Sequence, residues 1–148
     1  MTEVMILLGT NINPDHWAKE GPRLLAERVE ILSLGRGWRT KAEGEGPHFV
    51  NRAIRAKAPL NKWEWRSLLK GLESEAGRPS SHEPDAPRTL DLDLVWVEGV
   101  WEKHPGLRRP YAVLPLADVV GENLGPDGES LKVVASRLRH HPTILGLL

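Results

Sequence analysis

The chain reads as an α+β domain in which helices pack on a sheet. Three segments keep the apolar spacing of helices and four or five keep the patterning of strands, interleaved along the sequence. No internal repeat, low-complexity tract or long linker divides the 148 residues, so residues 1–148 are expected to form one domain. With 40% hydrophobic and 27% charged residues, the composition is that of a globular protein and excludes disorder over most of the length.

Val4-Met5-Ile6-Leu7-Leu8 is apolar throughout and stops at Gly9-Thr10-Asn11, the pattern of a strand buried on both faces and placed mid-sheet. A helix follows from about Asn13, which stands at the N-cap position with Pro14 opening the first turn. Trp17, Leu24, Leu25, Val29 and Leu32 continue at roughly helical spacing, but Gly21-Pro22 should kink or restart the helix. Residues 30–41 hold Ile31, Leu32, Leu34 and Trp38 together with Gly35 and Gly37, which predicts a strand with a bulge. A loop covers 41–47. Residues 49–56 alternate in part and end before Pro59, as expected of a strand paired with its predecessor and half covered by a helix.

The second helix carries Trp63, Leu68, Leu69 and Leu72 on one face, is capped near Asn61 and ends at Gly77. Residues 78–87, with three prolines and two serines, form a loop. Residues 89–97 then read T-L-D-L-D-L-V-W-V, a strand with leucines 90, 92 and 94 on one face and Asp91 and Asp93 on the other. Glu98-Gly99 turns the chain into residues 100–103. Beyond lie an apolar stretch at 111–120, a turn at Asp127-Gly128 and a last helix over about 130–139. Trp17, Trp63 and Trp96 fit apolar faces and are expected in the core.

Several function classes drop out on composition. Twenty Lys+Arg cancel twenty Asp+Glu, so no overall positive field holds a nucleic acid or an anionic membrane, and phosphate binding has to be local. The absence of cysteine removes disulfides, thiolate metal sites and cysteine nucleophiles together. The apolar runs are too short for a membrane span or a signal-peptide core, so a cytoplasmic protein is expected. The six histidines show no zinc-ligand spacing, and neither a P-loop nor a dinucleotide-binding glycine fingerprint is present.

Asp91 and Asp93 point to chemistry. Two apart on a strand, they sit on one face with α-carbons about 6.5 Å apart, and two charges about 6 Å apart repel by roughly 3 kcal/mol at an effective dielectric of about 20. A magnesium ion suits such a pair, because it takes one or two carboxylates and fills its sphere with substrate phosphates. A solvated strand face neutralised by Arg88 is the other reading, and the spacing alone leaves both open. Arg78 and Arg88 bracket the preceding loop, which also holds His82; arginine recognises phosphate bidentately, so these cations beside carboxylates suit a polyphosphate site.

Pro87-Arg88-Thr89-Leu90-Asp91-Leu92-Asp93-Leu94 closely resembles the signature of the 6-hydroxymethyl-7,8-dihydropterin pyrophosphokinases, enzymes of folate biosynthesis. The likeness extends to Leu8-Gly9-Thr10-Asn11, to Pro47-His48-Phe49-Val50-Asn51, to the helix end from Glu73 to Gly77-Arg78, and to the block from His104 through Leu114-Pro115-Leu116. It departs at Ser80, where the family often has a second arginine, at Lys41-Ala42, where proline is common, and between His104 and Tyr111, which is one residue short.

The resemblance implies a ferredoxin-like sandwich, a mainly antiparallel sheet with helices packed on it. It also implies transfer of the pyrophosphoryl group of ATP, the co-substrate, to the hydroxymethyl group of the dihydropterin, giving AMP and the pterin diphosphate. Asp91 and Asp93 would hold two Mg2+ ions. Arg78 and Arg88 would join them in catalysis and contact phosphates, with Lys70, Glu73, His104 and Arg109 also binding ATP. Phe49 and Tyr111 would sandwich the pterin, Asn51 would bond its edge, and backbone near Thr40 would complete the contacts. Small-molecule substrates and a monomer are expected, with neither nucleic acid nor membrane as partner. Two other readings of the aspartate pair are a different magnesium-dependent nucleotide transferase and a noncatalytic nucleotide- or RNA-binding module.

Overall fold

The computed structural model describes residues 1–77 and 89–148. Its elements run β1 (Thr2–Thr10), α1 (Pro14–Ala26), β2 (Glu30–Leu34), β3 (Trp38–Thr40), β4 (Phe49–Ala58), α2 (Lys62–Glu75), β5 (Asp91–Val97), β6 (Val100–Trp101), α3 (Pro110–Ala117), α4 (Leu131–Leu138) and β7 (Ile144–Leu147). The sheet order is β6-β5-β1-β4-β3-β7, with β2 also on β4, and the pairings are antiparallel. The run β1-α1-β2/β3-β4-α2-β5, with β1 and β4 central, is the ferredoxin-like arrangement that the resemblance implied.

β1 lies mid-sheet because both its faces are covered. Val4, Ile6 and Leu8 join Leu25 of α1 and Trp65, Leu69 and Leu72 of α2 in one core. Met5 and Leu7 join Ala112, Val113, Leu114 and Leu116 of α3 and Leu131 of α4 in the other. The alternation of period 2 in a fully apolar run thus feeds two cores at once.

α2 starts as expected: Asn61 Oδ1 accepts the Glu64 N–H at 2.9 Å and Glu64 Oε1 accepts the Asn61 N–H at 3.0 Å, a reciprocal cap. The Glu98-Gly99 turn joins β5 to β6 with positive φ at both residues (46° and 90°), the backbone of a tight hairpin.

Other expectations are corrected. Residues 30–41 form two strands on the same edge of β4, Glu30 to Leu34 opposite 54–57 and Trp38 to Thr40 opposite 49–51, parted at Gly35-Arg36-Gly37. Gly35 lies so close to the layer above that a Cβ would stand 3.0 Å from Asp118 Cβ. α1 runs through Pro22 without a restart. Proline has no N–H for the Ala18 carbonyl four residues back, and Arg52 Nη1 donates to that oxygen at 2.8 Å while its Nε donates to Gly35 O at 2.9 Å. Asn13 holds the N-cap position in the left-handed region (φ 51°), where its side chain makes no capping bond.

Trp63 is 77% exposed and Trp17 half-buried; the helix turns Trp65 inward instead, fully buried. The two positions are two apart and so lie on nearly opposite sides of a helix. The apolar stretch at 111–120 opens as α3, and residues 144–147, unassigned from sequence, add β7 beside β3. The strand expected from residue 89 starts at Asp91, and the expected loop at 78–87 lies outside the described residues. No helix among the described residues is long and apolar enough to cross a membrane.

Candidate active site

At one end of the sheet, on the α3 side, a cleft of about 420 Å³ opens over β1, β4 and β5. Its floor follows from strand register. Gly9 of β1 lies between Asn51 of β4 and Asp91 of β5, and Leu7 lies between Ala53 and Asp93. Because residues of one parity share a face, Asn51, Asp91 and Asp93 all rise into the cleft. Gly9 leaves the middle of that row empty; a Cβ there would come within 3.1 Å of Asn51 Oδ1.

The cleft gathers seven of the residues named from sequence: Thr40, Phe49, Asn51, Asp91, Asp93, His104 and Tyr111. Asn51 Nδ2 donates to Thr40 Oγ1 at 2.7 Å, and both residues are buried, so the amide is held with its donor toward β3. Phe49 and Tyr111, the chain's single phenylalanine and single tyrosine, both line the same space. Burial, then the charges of Glu43 and Asp93, pushes the Tyr111 phenol above its ordinary pKa, so it is a neutral hydrogen-bonding group.

His104 is fixed from both sides. Its Nδ1 accepts the Gly106 N–H at 3.0 Å, and its Nε2 stands 3.0 Å from Asp93 Oδ2. A backbone N–H only donates, so Nδ1 carries no proton in this arrangement and Nε2–H donates to the carboxylate. That bond occupies one oxygen of Asp93 and leaves Oδ1 to the cleft. The contact with Asp93 raises the imidazole pKa, against the opposing effect of burial.

Among the described residues four carboxylates line the cleft, from Glu43, Glu45, Asp91 and Asp93, beside the cation Lys41 and the His104 imidazole. Among the described residues no group of three or more His, Cys, Asp or Glu side chains forms a ready-made metal cage. The donor set therefore fits a hard cation held by Asp91 and Asp93, with its other ligands drawn from water or substrate oxygens, as magnesium prefers. The carboxylates among the described lining residues repel a bare polyphosphate and favour one accompanied by cations.

Of the remaining expected residues, Lys70, Glu73 and Arg109 do not line the cleft. Lys70 is exposed on α2 and does not line the cleft. Glu73, buried, accepts the Leu92 N–H through Oε2 at 2.7 Å, gripping β5 midway between the two aspartates. Arg109, at the N-cap of α3, reaches Glu43 at 3.3 Å rather than the cleft interior. Arg78 and Arg88 lie outside the described residues. Sequence reasoning passed over the wall at 41–46, where Lys41, Ala42, Glu43, Glu45 and Gly46 line the cleft. Its signal was the alternation E-G-E-G: Gly44 and Gly46 take φ of 134° and 141°, which side-chain-bearing residues rarely adopt.

Comparison with known proteins shows the family of the chain. A folate synthesis bifunctional protein of Arabidopsis thaliana is 30% identical over 151 residues, covering 90% of this chain and 29% of its own length. A mitochondrial protein of the same name from Pisum sativum is 28% identical, over 84% of this chain and 26% of its own. The chain thus spans less than a third of the length of these plant relatives. The 2-amino-4-hydroxy-6-hydroxymethyldihydropteridine pyrophosphokinase of Bacillus subtilis (strain 168) is 28% identical, over 77% of this chain and 75% of its own. The family model for 7,8-dihydro-6-hydroxymethylpterin-pyrophosphokinase matches residues 5–141, and the chain belongs to that family.

Proposed function

We propose that this protein transfers the pyrophosphoryl group of ATP to the hydroxymethyl group of 6-hydroxymethyl-7,8-dihydropterin, with magnesium held by Asp91 and Asp93, as a step in folate biosynthesis. The observation that carries this reading is the convergence, in one cleft, of that carboxylate pair with Phe49, Asn51 and Tyr111. One half of the cleft suits a planar aromatic ring with a polar edge, and the other a cation-bearing polyphosphate.

In the reaction the pterin hydroxyl oxygen forms a bond to the β-phosphorus, and the bond from that phosphorus to the oxygen bridging it to the α-phosphorus breaks. AMP departs with that oxygen, and the hydroxyl proton is released. Such transfer depends on alignment and charge neutralisation more than on covalent help from the protein. Phe49 and Tyr111 hold the ring, and Asn51, steadied by Thr40, reads its edge. Asp91 and Asp93 rise on the same face and would hold the cation, with His104 fixing the orientation of Asp93. When bound, magnesium supplies charge neutralisation for the polyphosphate. Glu73 keeps β5 in place beneath the aspartates, while Arg78 and Arg88 are assigned to the phosphates, and Lys70 and Arg109 to the rest of the nucleotide, by family likeness. The protein is read as a monomer acting on small molecules in the cytoplasm.

The test is product analysis after incubation with ATP, magnesium and the hydroxymethyl dihydropterin. AMP and pterin diphosphate should appear in equal amounts. Turnover of ATP that ignores the pterin would assign a different nucleotide transferase, and no turnover would leave a binding module.

A further inference from the structure

We propose that Gly106 is a positioning residue of the cleft, coupling the Asp93–His104 pair to the aromatic wall at Tyr111. Two independent contacts support this. The Gly106 N–H donates to His104 Nδ1 at 3.0 Å, which leaves the ring proton on Nε2, facing Asp93 Oδ2. The space where its side chain would stand is filled by Tyr111: a Cβ built on Gly106 would lie 1.9 Å from the phenol oxygen and 2.7 Å from Cζ.

Backbone conformation does not explain this glycine, because its φ lies outside the left-handed region that side-chain-bearing residues avoid. What excludes a side chain is the ring. Tyr111 cannot retreat as a whole, since Ala112 to Leu116, the next residues of α3, are all buried. The turn is closed as well, by the Arg109 N–H donating to Gly106 O at 2.9 Å just before α3 begins. A methyl group at Gly106 therefore drives the phenol ring into the space that the substrate ring is to occupy. By contrast a Cβ at Gly9, elsewhere in the cleft, meets nothing closer than 3.1 Å, and one at Gly71 on α2 meets nothing within 4 Å.

The consequence for substrate affinity rests on the function proposed above; the coupling between Gly106 and Tyr111 does not. The test is a double-mutant cycle of Gly106→Ala, Tyr111→Phe and the two combined, with Gly71→Ala as the control for a glycine-to-alanine change. In each variant the thermal midpoint and the affinity for the hydroxymethyl dihydropterin are measured. Gly106→Ala should weaken pterin binding about tenfold in the wild-type background and by a clearly smaller factor, about threefold, in the Tyr111→Phe background, where the atom at 1.9 Å is gone and only the milder approach to Cζ at 2.7 Å remains. Its thermal penalty should shrink in the same way, and Gly71→Ala should show neither effect.

Ring-nitrogen NMR of His104 in the ligand-free protein, recorded where the imidazole is neutral, should find its proton on Nε2 and not on Nδ1. Equal penalties in both backgrounds would overturn the proposal, as would a neutral ring whose proton sits on Nδ1. If Gly106→Ala alone fails to fold, a folded double variant supports the coupling and an unfolded one counts as an equal penalty. If the wild type does not bind the pterin, the proposed function fails, while the thermal cycle and the NMR still decide this inference.

Discussion

Along β1, β4 and β5, successive side chains go to opposite faces and meet opposite surroundings. Toward α1 and α2, Leu8, Ile54, Leu90 and Leu92 fill a dry core with Trp65 and Leu69. Toward α3 the same stretch of sheet presents Gly9, Asn51, Asp91 and Asp93, which open the cleft. Over residues 90–94 the chain therefore carries stability on its even residues and chemistry on Asp91 and Asp93, with Leu92 between them; beyond, Val95 and Trp96 both join the core on the α3 side. Rigid packing beneath and polar groups above make a site whose geometry is held by a core it does not share.

The sharpest way to break this comparison is to change adjacent residues. Asp91→Ala and Asp93→Ala should each lower the transfer rate by about a thousandfold or more, because a metal-holding carboxylate is lost. Their stabilities should stay within about 1–2 kcal/mol of the wild type, since relief of the like-charge repulsion offsets lost bonds such as that of Asp93 to His104; steady-state kinetics beside denaturant unfolding checks both. Leu92→Ala should reverse the pattern, costing about 2–5 kcal/mol of stability in a urea titration while turnover per folded molecule stays near wild type.

Smaller effects sharpen the picture further. Phe49→Ala should weaken pterin binding by about 1–3 kcal/mol, with MgATP affinity little changed, which paired calorimetric titrations would show. Arg52→Met leaves the Ala18 and Gly35 carbonyls without their guanidinium donor and should cost about 1–3 kcal/mol of stability, read by thermal unfolding, without reaching the cleft. Trp63→Ala, on the exposed side of α2, should fall within about 0.5 kcal/mol of wild type in the same measurement.

The sequence made the polar face of β5 legible because T-L-D-L-D-L shows its period in the letters themselves, and the α2 cap because Asn61 and Glu64 stand at the spacing a reciprocal cap needs. The choice between Trp63 and Trp65 was not readable, because the helix phase is set by which side meets the sheet, a tertiary fact. Pro22 misled for a related reason: its rule describes an isolated helix, whereas here Arg52, thirty residues further on, supplies the missing donor. Phe49, Asn51 and Tyr111 were placed in the site by family likeness, and register explains the first two: β4 runs antiparallel to β1, bringing Asn51 opposite Gly9. The wall at 41–46 left little trace because it depends on contacts between segments far apart in the chain, and the role of Gly106 because it depends on how the turn before α3 lays the Tyr111 ring against it.

The central claim is that over residues 91–94 the two faces of β5 divide stability from chemistry. Its most direct test is AMP release in the presence of magnesium and the pterin, normalised to the native fraction, compared between Asp93→Asn and Leu92→Ala. The division predicts at least a hundredfold loss for Asp93→Asn, about what losing a charge-stabilising group costs, and a change of about threefold or less for Leu92→Ala. Comparable losses in the two variants, or a normal rate in Asp93→Asn, would contradict it.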